Sequence, residues 1–502
     1  MTKSKIARQA ASALTAFGLC VFCVSASAQT GGQSSPASGP STATQSSPIA
    51  GAQENLYTAS GSNGATPTQS SFHGSVVAGK ATAGVMDLSM DEAVQRGLRQ
   101  NLGLILQNSA QKSAGGQRLE ELQALLPTVT GDASYEVQQI NLAAEGLKFP
   151  GVNPIIGPFQ VVDFRAYLTQ NLVNVSALQN YLAAKHNFSS ATLTAEDARD
   201  MVVLTVGNAY LLCVADRARI EAVTAELATS KLSLGQATDA HNAGTSPKLD
   251  VLRSQVDYQD VQQRLISSKN EFEKDKLALA RAIGLPLDQA FRLTDHSPYA
   301  ALEHMDPQVA FQEALKNRKD LQAAEEQVKA ATAEKKSAWA YQLPVVSVSG
   351  DYGDLGTTPG HSHGTYEVTG KVSAPILQIA KTRGQEQVAD AQYEEAKAKL
   401  SDQVQQVNQD VRDSLLDIQA AEKLLEAAQS NVELANEALS DAQQRFHAGV
   451  SDNLPVSEAQ SQTEQANDRY ISALYQDNVA KLALARALGV AQTNYKDYLG
   501  GK

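Results

Sequence analysis

Two histidines, His361 and His363 in the run PGHSHG, are spaced to offer imidazole nitrogens to a soft metal ion. A Gly-rich turn does not hold two rings in a ligating geometry, so the pair reads as the tip of a loop. Cys213 carries the other reactive group, but it falls on an apolar helical stripe and reads as packing. No phosphate loop, nucleophile elbow or paired metal motif occurs, so the reading assigns no catalytic residue, cofactor or metal. The residues that stand out do so by repetition. HNAGTSPKLDVLRSQ (241–255) and FHAGVSDNLPVSEAQ (446–460) each break a long helical pattern at Ala-Gly and restart with Leu and Val at the same offsets. Gly tolerates the left-handed conformation that ends a helix, and Ser246-Pro247 or Ser451-Asp452 can cap and start the next, so each stretch reads as the tip of a helical hairpin.

What positions these tips follows from the rest of the chain. The 502 residues carry a net charge of -12, which excludes nucleic acid as a partner because phosphate binding needs clustered Lys and Arg. Lys3, Lys5 and Arg8, an apolar run from about Ala10 to Val24, and Ala26-Ser27-Ala28 read as a secretory signal over residues 1–28. Its removal takes the charge to -15 and leaves Cys213 as the one cysteine, so no intramolecular disulfide is available. Neither Cys20 nor Cys23 follows the small residue that a lipoprotein cleavage site requires. Residues 29–86, rich in Gln, Ser, Thr, Gly, Ala and Pro, read as a disordered low-complexity arm. No later apolar stretch is read as approaching the ~20 residues of a membrane helix, so any membrane passage falls to strands.

The ordered part is a duplication. LALARAIG (277–284) recurs as LALARALG (482–489), and the same offset of 205 superimposes Gly244 on Gly449, Leu249 on Leu454 and Val251 on Val456. Leu126-Pro127 and Tyr135 match Leu343-Pro344 and Tyr352 at an offset of 217, which assigns twelve extra residues to the first copy, within Asn141 to Phe159. Repeat 1 is placed at 87–300, repeat 2 at 301–491, and a C-terminal tail at 492–502. Units of this length are not solenoid repeats.

Each repeat reads as helix, strand, loop, strand, very long helix, break, helix. Val404, Val411, Ile418, Leu425, Val432, Leu439 and Phe446 recur every seventh residue, with a companion seam through Val407, Ser414, Ala421 and Ala428. One helix over Gln378 to Phe446 would be roughly 100 Å long. After the break, Ala459, Ala466, Ala473, Ala480 and Ala487 form a seam of small residues that lets an antiparallel helix approach closely. Val251, Tyr258, Leu265, Phe272 and Leu279 are read as the corresponding stripe of repeat 1. Strict alternation marks strands at about 128–139, 159–170, 345–353 and 365–375, each of a length that crosses a bilayer when tilted. Apolar faces would meet lipid and polar faces a watery lumen; four strands cannot close around a lumen, so several chains must contribute. Tyr135, Tyr352, Tyr366 and Trp339 are candidates for an aromatic girdle, with core packing the other reading of Trp339.

The duplicated plan, the AGTSPKLDVL and AGVSDNLPVS tips and the LALARA(I/L)G ends resemble the TolC family of outer-membrane efflux proteins, over about Asp87 to Val490. The resemblance implies a mainly α chain with a membrane β-barrel: a homotrimer pooling four strands per chain into twelve, continuous with an α-helical tunnel across the periplasm. It implies a passive exit duct of a tripartite efflux or type I secretion system in the outer membrane, in contact with its lipid. The implied partners are a periplasmic adaptor (membrane fusion protein) and an inner-membrane pump of RND, ABC or MFS type. The adaptor would dock at Gly244, Leu249, Val251, Gly449, Leu454 and Val456. In the best-known member of the family the tunnel mouth is closed partly by acidic residues of the second repeat and by a Tyr to Asp hydrogen bond between tips. Here Phe446 has no hydroxyl and Pro455 takes the first acidic position, while Asp250 and Glu458 remain as aperture carboxylates. The alternative is an exported coiled-coil scaffold without channel activity, whose strands form a soluble sheet.

Overall fold

The computed structural model describes residues 69–144, 146, 147, 150–295, 302 and 305–500. The signal segment, residues 29–68 of the arm and the boundary between the repeats at 300 lie outside the described residues. Period-two alternation gives four strands, β2 (Thr128–Asn141), β3 (Ile155–Val173), β5 (Val345–Gly356) and β6 (Ser362–Ser373), each longer than the alternation alone delimits. They pair antiparallel in the order β2-β3-β5-β6. Directly opposed residues share a face, and the register makes the faces distinct. Val129, Leu168, Gly350 and Val368 form one row, and Gly131, Ala166, Tyr352 and Tyr366 the next on the same side. Thr130, Tyr167, Asp351 and Glu367 form a row on the opposite side, where Arg165 lies 3.1 Å from both Asp163 and Asp351. Among the described residues β2 and β6 pair on one side only, so the sheet has two open edges.

Four helices leave or approach this sheet. α3 (Val175–Asn242) and α7 (Ile379–His447) are each a single helix, about 100 Å long at 1.5 Å per residue. α4 (Lys248–Ile283) and α8 (Leu454–Ala487) fold back along their distal halves. The proximal halves are flanked instead by α2 (Leu102–Gln123), which packs on α3, and α6 (Lys319–Ala340), which lies between α3 and α7. Val407, Val411, Ile418 and Leu425 are buried against α8, whose Ala459, Ala466, Ala473, Ala480 and Ala487 are buried in turn. In α4 the buried seam runs through Ser254, Val261, Ser268 and Ala282, the counterparts of those alanines. Val251, Tyr258, Leu265 and Phe272, read as the stripe from their size, are half-buried, and of that set Leu279 alone is fully covered. Apolar size misled because close backbone approach selects small side chains at the seam.

The core lies at mid-height. α1 (Met90–Gln100), the middle of α3, the ends of α4 and α8, and α9 (Ala491–Tyr498) enclose Val94, Val202, Val206, Tyr210, Leu279 and Leu482. Beside them β1 (Met86–Leu88) pairs with β4 (Phe291–Leu293), and α5 (Pro307–Asn317) packs on α7. α3 is long and apolar enough over part of its length to span a membrane, contrary to the sequence reading, but that stretch is mostly buried in this core. Two boundaries of the sequence reading shift here. Residues 69–86, counted with the arm, include a 3-10 turn (Gln69–His73), buried Phe72 and a backbone hydrogen bond from Ala78 to Gly284. The tail folds as α9, with Tyr495 donating to Asp91 at 2.8 Å and Leu499 buried. Isolated apolar residues in polar segments gave no periodicity by which to find either.

Candidate functional site

Each tip is built by one glycine. α3 ends at Asn242 with Ala243 as its C-cap, Gly244 takes φ 78°, and the amides of Gly244 and Thr245 donate to the carbonyls of His241 and Ala240 at 2.9 Å. The second tip repeats this arrangement: Gly449 has φ 72°, and Gly449 and Val450 donate to Phe446 and Arg445. These are Schellman closures, which require a left-handed residue at that place. The restart differs from the expected caps. Ser246 donates to Asp250 at 2.8 Å rather than capping α4, and at the second tip Asp452 accepts from the Leu454 amide at 3.3 Å.

The structure divides the residues singled out at the tips. Gly244, Leu249, Gly449 and Leu454 are exposed, joined by Val450, which the sequence reading passed over. Val251 is half-buried, while Val456 is buried against Ala442, Ala459, Leu439 and Phe446. Val456, read as a docking residue, thus packs beneath the turn. Asp250, read as an aperture carboxylate, is buried within the turn, accepting from Ser246 and lying 3.9 Å from Arg253. Glu458 is exposed.

The hairpins are tied to each other where side chains face across. Asn453 donates to Ser254 at 2.8 Å, both buried, and Ser457 donates to Asp257 at 2.7 Å. Further from the tips Arg219 meets Asp468 at 2.9 Å, and Arg264 meets Glu226 at 2.6 Å and also Glu464. These groups border a cavity of about 450 Å³ between the hairpins. Burial raises the Glu226 carboxyl despite Arg264. Nearer mid-height Asp216 lies 3.1 Å from Arg219, yet burial and the neighbouring Asp275 carboxyl push it up to about 7. Asp477 and Lys481 form a fully buried pair at 2.6 Å within α8. None of these polar contacts was read from the sequence: Asp216–Arg219 and Asp477–Lys481 are neighbours three and four residues apart on one helix, whereas the others join residues whose proximity depends on how the helices are rotated.

The other candidates resolve simply. Burial pushes the Cys213 thiol well up, which keeps it protonated and inert. His361 is exposed in the turn between β5 and β6, with Nδ1 3.0 Å from Thr358 Oγ1. No group of three or more metal-ligating side chains occurs among the described residues. Trp339 is exposed near the end of α6 beside the sheet, which removes the core reading for it.

The sequence matches the family model described as outer membrane efflux protein over residues 98–285 and 310–490. The solvent efflux pump outer membrane protein SrpC of Pseudomonas putida is 26% identical over 407 residues, covering 77% of this chain and 84% of SrpC. The pyoverdine export outer membrane protein OpmQ of Pseudomonas putida is 27% identical over 292 residues, covering 57% of this chain and 61% of OpmQ. Among solved structures, the outer membrane protein VceC of Vibrio cholerae superimposes with a TM-score of 0.70 at 20% identity, covering 80% of this chain and 96% of VceC.

Proposed function

Because the chain belongs to the outer membrane efflux protein family, with a helical tunnel and a β-barrel and a place in the outer membrane extending into the periplasm, we propose that it is the passive exit duct of a tripartite efflux or secretion system. A homotrimer joins β6 of each copy to β2 of the next, giving twelve strands, and the helical hairpins continue the bore below. The observation that carries this reading is the sheet itself. It has four strands of 12 to 19 residues, an apolar face and two open edges. An open edge in lipid leaves unpaired N–H and C=O groups, so the spanning form must close. A soluble scaffold sheet would have to cover the exposed Tyr135, Tyr352, Tyr366, Val368 and Val372.

A periplasmic adaptor docks at the exposed tip residues Gly244, Leu249, Gly449, Leu454 and Val450, and an inner-membrane pump supplies cargo and energy. The names of the relatives mention a solvent for one and pyoverdine for another, which suits a duct that takes its specificity from the pump. Cysteines at Leu249 and Leu454, carrying a photo-activated crosslinker in intact cells, test the tips. Capture of a periplasmic adaptor is expected from both. Capture equal to that from a cysteine on the distant exposed Val388 would contradict tip docking.

A further inference from the structure

Inside one chain, α8 lies along α3, and near the core Arg486 of α8 meets Asp197 of α3 at 2.6 Å. The duplication carries both members to their counterparts at the offset of 205: Arg486 corresponds to Arg281 of α4, and Asp197 to Asp402 of α7. Arg281 and Asp402 are both exposed, and neither forms an ion pair among the described residues. They cannot serve each other within the chain, since α4 packs on α3, α1 and the tip end of α8, while α7 packs on α8, α6 and α5.

The apolar residues around them show the same asymmetry. Leu482 of α8 is 0% exposed against α3, where a side-chain carbon at Gly207 would clash with it, but its counterpart Leu277 is 47% exposed. Ile471 of α8 lines the space between the hairpins, whereas its counterpart Ile266 is 71% exposed. On the opposing helix Leu211 of α3 is 3% exposed, and its counterpart Leu416 of α7 is 61% exposed. α8 packs on two long helices, α7 and α3, whereas α4, beyond the tip end of α8, packs on α3 alone of that kind; α3 in turn packs on both α4 and α8, whereas α7 packs on α8 alone of that kind. The two bare faces complement one another in shape by descent from one covered interface, and in charge through Arg281 and Asp402.

We propose that α4 of one copy packs on α7 of the next, with Arg281 paired to Asp402 across the boundary and Leu277 and Ile266 covered by that neighbour. Three such pairs alternate with three internal Arg486–Asp197 pairs around the tunnel. This rests on the homotrimer proposed above, and it specifies the register in which the copies meet. An exposed pair gains little, but a pair covered by packing on both sides is screened less from solvent and rejects misregistered neighbours.

The test replaces Arg281 and Asp402 by cysteine, singly and together, and treats outer membranes with a short bis-maleimide. The expected result is a covalent trimer on a denaturing gel from the double variant, and monomer from each single variant. Charge reversal supplies a second readout. Arg281→Asp and Asp402→Arg each lower the temperature at which the detergent-extracted trimer dissociates, and the double reversal restores it. A trimer of normal native mass with no 281–402 crosslink and no rescue would overturn the interface while leaving the duct intact. A native mass of one chain for the unaltered protein would overturn both.

Discussion

Asn453, the first residue before α8, donates its side-chain amide to the Ser254 hydroxyl of α4 at 2.8 Å, and both residues are buried. The second tip is thereby anchored to the first hairpin of the same chain, at the end where the proposed duct would open. With Phe446 lacking a hydroxyl, this contact and Ser457 to Asp257 are the polar ties between α8 and α4 nearest the tips among the described residues.

Removing that tie should loosen the mouth. Asn453→Ala leaves the buried Ser254 hydroxyl without this partner, a loss of about 1–3 kcal/mol. Combined with Ser457→Ala, it should raise the resting single-channel conductance of purified protein in planar bilayers. Resting conductance equal to the parent's would assign both contacts to folding rather than closure.

Glu458 is exposed beside the second tip. Three carboxylates brought around one axis attract cations, so Glu458→Gln should weaken block of the reconstituted channel by divalent cations. Asp250→Asn should leave the block unchanged because Asp250 is enclosed by its turn. Block undiminished in Glu458→Gln would remove that carboxylate from the aperture.

Asp216 gives the helix wall a pH dependence. Burial and Asp275 raise its folded pKa to about 7 from the ordinary carboxylate value, against the opposing charge of Arg219, with Glu271 acting in the same sense as Asp275. The raised value means that the folded chain holds the proton more tightly than the unfolded one. Stability from this group is therefore full below the unfolded pKa and declines as pH rises through about 7. Asp216→Asn should flatten that decline, so its melting temperature should exceed the parent's at pH 8 by more than at pH 4. An equal difference in melting temperature at both pH values would mean that folding leaves the Asp216 pKa unchanged.

The Asp477–Lys481 pair has no access to solvent. Asp477→Ala takes the carboxylate from a buried ammonium and should cost about 3–5 kcal/mol, whereas Asp477→Ala with Lys481→Met should recover much of it. Thermal unfolding followed by circular dichroism separates these. A single variant as stable as the parent would mean that the surroundings of Lys481 hold its charge without Asp477.

How much of this the sequence disclosed depends on the periodicity each feature carries. Alternation at 128–139 located β2, and the seventh-residue recurrence from Val404 to Phe446 located α7, because one-sided burial of a regular element imprints its own period. The offsets of 205 and 217 exposed the duplication before any contact was known. Features without a period were hidden. Val456 repeats Val251, yet one is buried and the other half-buried, since helix rotation at each tip sets exposure. Asp250 looked like a free carboxylate until the turn placed Ser246 above it. Asn453, Ser254 and the Asp216–Asp275 pair join residues far apart in sequence, where local composition carries no signal. α9 and Phe72 join the core through single anchoring side chains.

The most direct test of the account is the native mass of the protein extracted by detergent from an isolated outer-membrane fraction. Three chains per particle, released only by detergent, is the predicted result, since two open sheet edges per chain must close on other copies in lipid. A monomer or dimer released without detergent would contradict the duct and favour an exported scaffold.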